Sequence, residues 1–301
     1  MKDLSFFKKL ITHDDFDGIV CAVLLTTLNP NLEIEFQVPE VMRKGDVKTD
    51  KKTIISDLPY IEGCGLWFDH HASNKGEGFH EIAPSAARVI YNNLHLKYPE
   101  LFRYEDLVEW CDRIDTADYS KKDILKPKGY ILLGFTLAVD EDKDYKLHLI
   151  KLLRKFTLDQ ILEDKFVKEK VKKLENNLKN YVSLVKKHIK VYDNLFYILD
   201  LRGVDVDPGV KFIAHTLFET QKIGVFLKDQ DDNIKISLSY NYLYRENFSP
   251  IDLSKLAKYF GGGGHPRASG ITISKDKIDD ALKDIIKVLD KVDWQPKYKK
   301  S

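Results

Sequence analysis

Two short stretches hold the residue types that do metal and phosphate chemistry. The first is "HDDFDG", with His13, Asp15 and Asp17 at alternate positions ahead of Gly18. The second is "FDHHASN", where Asp69, His70 and His71 stand side by side. Asp57 ends the apolar run "TIISD", and Asp115 ends the amphipathic run "EWCDRID". In extended backbone, alternate residues point to one side, so His13, Asp15 and Asp17 share a direction. Singly, each residue has an ordinary explanation. An Asp before a helix is commonly its N-cap, and Asp14 and Asp112 are read as caps or solvated helix ends. Together, Asp15, Asp17, Asp57 and Asp115 would crowd negative charge into one crevice, with too little Lys or Arg nearby in sequence to balance it. Two carboxylates about 4 Å apart repel by about 4 kcal/mol at an effective dielectric of about 20. Carboxylates mixed with imidazoles suit Mn²⁺ or a similar first-row ion, and suit Mg²⁺ less well. A pair of such ions serves in-line phosphoryl transfer.

The elements that must position these residues follow from hydrophobic periodicity. Residues 8–12, 33–38, 53–58 and 66–70 read as strands, and 18–28, 84–98 and 104–115 as helices. Such alternation means an α/β fold with a parallel sheet flanked by helices, whose ligands bind at the carboxyl ends of the strands. The segment 166–192 carries Val167, Val171, Leu174, Leu178, Val182 and Val185 at helical spacing and reads as one long connecting helix. Beyond it, strands at 194–201, "KIGVFLKD", "NIKISLSY" and "ITI" alternate with helices at 209–220, 252–259 and 277–291. The expected organisation is a first domain over 1–165, the helix 166–192, and a smaller α/β domain over 193–301.

The second domain contains "FGGGGHPRASG", read as a glycine loop over 261–270. Consecutive glycines are costly in backbone entropy. Gly262, Gly263 and Gly264 would let backbone N–H groups approach an anion, with His265 and the Arg267 fork beside them. The G-K-[ST] ending of a nucleotide-triphosphatase loop is missing. Tyr240, Tyr242, Tyr244 and Phe248 offer rings for base stacking, although alternate faces of one strand plus a loop explain them more simply.

Composition narrows the class. The chain of 301 residues is long enough for two domains. With 48 Lys+Arg against 47 Asp+Glu, it does not grip long duplex nucleic acid by bulk charge. Cys21, Cys64 and Cys111 have no paired spacing, which fits a reducing compartment and gives no structural zinc site. Neither a signal-peptide pattern nor a membrane-length apolar run is present, so a cytoplasmic protein is expected.

The ordered set "HDDFDG", "SDLP", "FDHHASN", "DRIDTADY" and "GGGGHPRASG" resembles the DHH/DHHA1 phosphoesterase family, most of all its oligoribonuclease (nanoRNase) and exopolyphosphatase-like branches. The likeness reaches both ends of the chain. It implies a DHH catalytic domain, a connecting helix and a DHHA1 substrate-binding domain. It implies two Mn²⁺ ions, with Mg²⁺ or Co²⁺ as alternatives, and water activated between them for attack on phosphorus. Carried over by position, His13, Asp15, Asp17, Asp57, His70 and Asp115 match metal ligands, with Asp57 as the bridge. Asp69 matches a supporting position and His71 a contact to the scissile phosphate or leaving group. Gly262, Gly263, Gly264, His265 and Arg267 match the substrate-binding loop. His13 stands two residues before Asp15, where related branches leave four, and Asp112 remains an alternative to Asp115. The implied substrates are a short oligonucleotide, a 3′-phosphoadenosine-type nucleotide or a linear dinucleotide, with polyphosphate as rival. A catalytically idle binding module and a processive single-strand nuclease are the competing classes. Monomer and homodimer both stay open.

Overall fold

The computed structural model describes residues 3–139, 141–204, 212–244 and 249–294. The chain divides into two units, 1–174 and 175–301. In order, the first contains β1 (Lys9–His13), α1 (Phe16–Leu28), β2 (Glu33–Gln37), α2 (Pro39–Lys44), β3 (Thr53–Ser56), β4 (Leu66–Asp69), β5 (Phe79–His80), α3 (Ala86–Leu94) and α4 (Glu105–Asp115). Four further helices follow: α5 (Lys121–Leu125), α6 (Gly129–Thr136), α7 (Lys143–Lys155) and α8 (Leu158–Glu163).

Its strands form a parallel sheet in the order β2-β1-β3-β4-β5. Successive strand residues enter opposite cores: Leu10, Ile54 and Phe68 on one side, Ile11, Ile55 and Trp67 on the other. Cover on both faces is why these strands read as continuous apolar runs. Helix α1 is apolar on all sides because it is buried all round, packed against α3, α4 and α7. The strand order reverses between β1 and β3. In an open α/β sheet, that reversal is where the loops diverge and leave a crevice at the carboxyl ends.

Helix α9 (Lys165–His188) starts in the first unit, with Val167 in its core, and ends in the second. The sequence pattern extends it to 192, but Ile189–Tyr192 instead forms β6. β6 pairs antiparallel with β7 (Phe196–Asp200), so ladder hydrogen bonds and the β-branched Ile189 and Val191 override the helical period.

The second unit continues with α10 (Phe212–Leu217), β8 (Ile223–Gln230), β9 (Asn233–Tyr240), α11 (Leu253–Tyr259), β10 (Gly263–His265), β11 (Ala268–Ser274) and α12 (Ile278–Leu289). Its sheet runs β10-β11-β9-β8-β7-β6, with α11 and α12 contributing to the core on one face. The glycine stretch, expected as a loop, is a hairpin. Gly263–His265 pairs antiparallel with β11 as an edge strand, and Pro266 and Arg267 turn the chain. A Cβ on Gly262 would fall 2.2 Å from the Gly270 carbonyl oxygen, so this approach requires glycine. Residues 209–211 of the expected helix, and Phe248, lie outside the described residues.

Candidate active site

The site is assembled at the carboxyl ends of β1, β3 and β4 and at the ends of two helices. After β1 the chain enters α1 at once. Asp15 is the N-cap, one carboxylate oxygen accepting from Gly18 N at 3.1 Å. Its other oxygen lies 2.8 Å from His13 Nδ1. The capping and functional readings of Asp15 are therefore compatible, one oxygen for each. A Cβ on Gly18 would sit 1.9 Å from the His13 carbonyl oxygen, so the sharp strand-to-helix turn depends on this glycine.

Asp57 follows β3 in a left-handed conformation, φ 56°, which Asp tolerates better than most residues. Its N–H donates to the Phe68 carbonyl at 3.0 Å. The turn swings a carboxylate that is 1% exposed toward His13 Nδ1 at 3.3 Å and His70 Nε2 at 3.6 Å. Neither Asp57 oxygen makes a hydrogen bond.

The three residues of "DHH" separate in role. Asp69 is fully buried. It bonds His71 Nδ1 at 2.9 Å through one oxygen and accepts from Asn74 Nδ2 at 2.7 Å through the other. An ionised carboxylate only accepts, so His71 Nδ1 carries the proton and Nε2 is left for a ligand. His70 Nδ1 lies 3.0 Å from the Ala83 carbonyl and must donate to it. Its Nε2 is buried without a hydrogen-bond partner, 3.5 Å from Asp115 and 3.8 Å from Asp17.

Asp17 is buried at the amino end of α3, where one oxygen accepts from Ala86 N at 2.6 Å and the other from Ala87 N at 2.8 Å. The thiols of Cys111 and Cys21 approach the latter oxygen at 3.4 and 3.7 Å. On α4, Asp112 bonds Ser85 Oγ at 2.6 Å and Arg88 at 2.7 and 2.8 Å. Asp115, one helical turn on, faces His70. Of the two acids left open by sequence, Asp115 joins the cluster and Asp112 ties α3 to α4.

Three groups of side chains here place a possible ligand atom each within 4.8 Å of one another: His13, Asp15 and Asp57; Asp57, His70 and His71; and Asp17, His70 and Asp115. Asp57 belongs to two of them. The electrostatics have the same cause. Burial, then the charges of Asp57, Asp115 and Asp15, pushes the Asp17 carboxyl well above the usual range. Burial, then Asp15 and Asp57, raises Asp115 to about 7. Burial disfavours charged imidazoles, yet the carboxylates outweigh it, raising His70 to about 10 and His13 to about 11. His71 is raised chiefly by its bond to Asp69. Asp15 is held low: burial opposes this, and the His13 charge and hydrogen bond overcome it. Asp17 and Asp115, like the three imidazoles, are pushed toward their protonated forms because carboxylates crowd together here. Orphaned acceptors, imidazole lone pairs and hard oxygens fit divalent first-row ions.

One partner of the cluster has no signal in the motifs. Lys146, on α7, donates to Asp14 Oδ2 at 2.8 Å. The arrangement has a trace in sequence only as a lysine in line with Leu149, Ile150 and Leu153, which are buried.

In the second unit, Gly262, Gly263, Gly264 and His265 lie on the edge of the sheet, His265 exposed. Arg267 is not a free fork. Its guanidinium lies 4.6 Å from the Tyr240 ring centroid and donates to Ser249 Oγ at 2.8 Å and to the Tyr244 carbonyl. Tyr240 and Tyr244 are 5% and 8% exposed, and Tyr242 bonds Thr216 at 2.7 Å. The Tyr240 and Tyr244 rings are used internally, and the Tyr242 ring is half-buried. Tyr259, at the end of α11 just ahead of the hairpin, is 79% exposed.

Residues 205–291 match the DHHA1 domain model. Comparison with the curated proteins finds no match. Among solved structures, a pGpG-specific phosphodiesterase, PggH from Vibrio cholerae, aligns at 28% identity over 95% of this chain and 99% of its own, with a TM-score of 0.81. An exopolyphosphatase-related protein from Bacteroides fragilis aligns at 16% identity over 94% and 91%, TM-score 0.51. RecJ from Thermus thermophilus, in complex with Mn²⁺, aligns at 13% over 94% of this chain and 52% of its own, TM-score 0.61. The chain thus shares its fold with a phosphodiesterase along nearly the whole of both chains, and more distantly with RecJ. The family likeness is carried by residues 205–291, which match the DHHA1 domain.

Proposed function

We propose that this protein is a Mn²⁺-dependent phosphodiesterase acting in the cytoplasm on very short nucleotides, with a linear dinucleotide as its leading substrate. The observation that carries metal dependence is the set of buried, unbonded ligand atoms: both Asp57 oxygens and His70 Nε2. The substrate reading draws on the likeness, along nearly the whole of both chains, to a pGpG-specific phosphodiesterase. His13, Asp15, Asp17, Asp57, His70 and Asp115 would hold two cations, with Asp57 shared. When bound, such ions supply Lewis acidity toward phosphoryl oxygens and lower the pKa of water. His71, oriented by Asp69, presents Nε2 to a phosphoryl or leaving oxygen. Its raised pKa favours the imidazolium, which donates there.

We assign catalysis to 1–165, a connecting role to 166–192 and substrate binding to 193–301. In the last region, the glycine edge and His265 contact substrate, while Arg267 holds the hairpin in shape. One observation favours polyphosphate instead: the Tyr240 and Tyr244 rings are buried, which leaves only the half-buried Tyr242 of the three to meet a base.

The test is a panel of pGpG, a 3′-phosphoadenosine-type nucleotide, a 3-mer, a 30-mer and polyphosphate with Mn²⁺, each repeated with Asp57→Asn. The dinucleotide is expected to be hydrolysed fastest and Asp57→Asn to be inactive. Faster release of phosphate from polyphosphate would reverse the assignment, and equal rates on 3-mer and 30-mer would point to a processive nuclease.

A further inference from the structure

Lys146 is 5% exposed, and its ammonium is spent on Asp14. Burying a lysine among apolar residues is unfavourable unless its charge is matched. The unit contains a second such pair, Lys170 with Asp142 at 2.7 Å, which serves as a comparison. There, Asp142 caps α7 and Lys170 lies over the rings of Tyr145 and Phe166, a folding role complete in itself.

Lys146 and Asp14 lead elsewhere. Lys146 takes Asp14 Oδ2, while Oδ1 faces His13 Nε2 at 3.7 Å, an ion-pair distance. The other ring nitrogen of His13 faces Asp15 at 2.8 Å and Asp57 at 3.3 Å. His13 therefore has one nitrogen on the cluster and the other near a carboxylate outside it, within ion-pair reach but beyond hydrogen-bond distance. A histidine that ligates a metal through one nitrogen commonly donates its second N–H to a carboxylate, which fixes the tautomer and the ring plane. The lysine also decides which acid plays that part, because it draws Asp14 away from the cluster its neighbour Asp15 joins.

We propose that Asp14, anchored by Lys146, is the positioning carboxylate of His13 and that the Lys146–Asp14–His13 chain sets the metal affinity of the centre. This rests on the metal reading above. It assigns to Asp14 a role beyond capping, and it brings in a cation from a helix distant in sequence.

The experiment is Mn²⁺ titration calorimetry on the full chain, with thermal melts in chelator to show that each variant is folded. Asp14→Asn/Lys146→Met removes both partners together, so no buried charge is left alone. It is expected to bind Mn²⁺ about 10- to 100-fold more weakly than wild type. The control, Asp142→Asn/Lys170→Met, is expected to lower the melting midpoint and leave Mn²⁺ affinity unchanged. A folded Asp14→Asn/Lys146→Met protein with wild-type affinity overturns the proposal, as does an equal loss in the control. If the double variant does not fold, Asp14→Asn alone decides: its amide oxygen still accepts from Lys146, weakened binding supports the proposal and wild-type binding overturns it. A wild type that binds no Mn²⁺ overturns the metal reading and this inference together, whereas failure of the variants alone touches only the inference.

Discussion

Asp112 and Asp115 lie on one helix and go to different ends. Asp112 is held by Ser85 and Arg88. Asp115 faces His70 across 3.5 Å with its pKa raised to about 7, first by burial and then by Asp15 and Asp57. Asp112→Asn is expected to lower stability by about 1–3 kcal/mol, because it weakens a charge-assisted bond and leaves Arg88 less well paired. Its Mn²⁺ affinity should match wild type. Asp115→Asn is expected to weaken Mn²⁺ binding without lowering the melting midpoint in chelator, since a carboxylate repelled by its neighbours is replaced by a neutral amide. Chelator melts and Mn²⁺ titrations on the two variants check the pair. If Asp112→Asn is the one that loses metal, the division between these residues is wrong. Their spacing in sequence does not separate them, because two acids on one helix differ only in what they meet, and Arg88 and His70 come from other elements.

At the scale of elements, α10 supplies a buried group that makes the second unit sensitive to acid. His215, 3% exposed, is bonded to Tyr197 Oη and Ser239 Oγ, both at 2.8 Å, and so spans β7 and β9. Burial lowers its pKa to about 3 from 6.5. The unfolded chain takes up this proton as pH falls through about 6.5, and the folded unit does not until about 3. Stability is therefore intact above pH about 6.5 and declines below it. The loss from this one group reaches about 2 kcal/mol at pH 5. Urea melts at pH 7.5 and 5 followed in the second unit, for wild type and His215→Gln, should show this loss only in wild type. Most of the elements were legible because burial on two faces leaves long apolar runs, as in β1, β3 and β4, and because α1 and α4 carry clean signals at their ends. The glycine hairpin was not, since glycine lacks strand propensity and only the approach of Gly262 to Gly270 reveals the pairing. β5 is too short to show a period. Ile189–Tyr192 continued a helical pattern that a distant strand, β7, overrode.

Over the whole molecule, the formal net charge of +1 sets how long polyanions are met. A protein that neutralises 6–10 phosphates loses roughly 10³–10⁵ in affinity between 50 and 200 mM salt. Here, binding of a 30-mer is expected to be weak and to change far less over that range, measured by anisotropy with Asp57→Asn. A steep salt slope would reveal a gripping surface that the composition does not suggest. No helix among the described residues is long and apolar enough to cross a membrane. Asp17 bears on how a substrate complex is best captured. Its carboxylate receives the first two N–H groups of α3, so an alanine there would remove a proposed metal ligand and leave two helix N–H groups without their partner in the same stroke. A crystallographer seeking a quiet enzyme with an undisturbed scaffold should therefore spare Asp17 and change His71, whose side chain is 39% exposed.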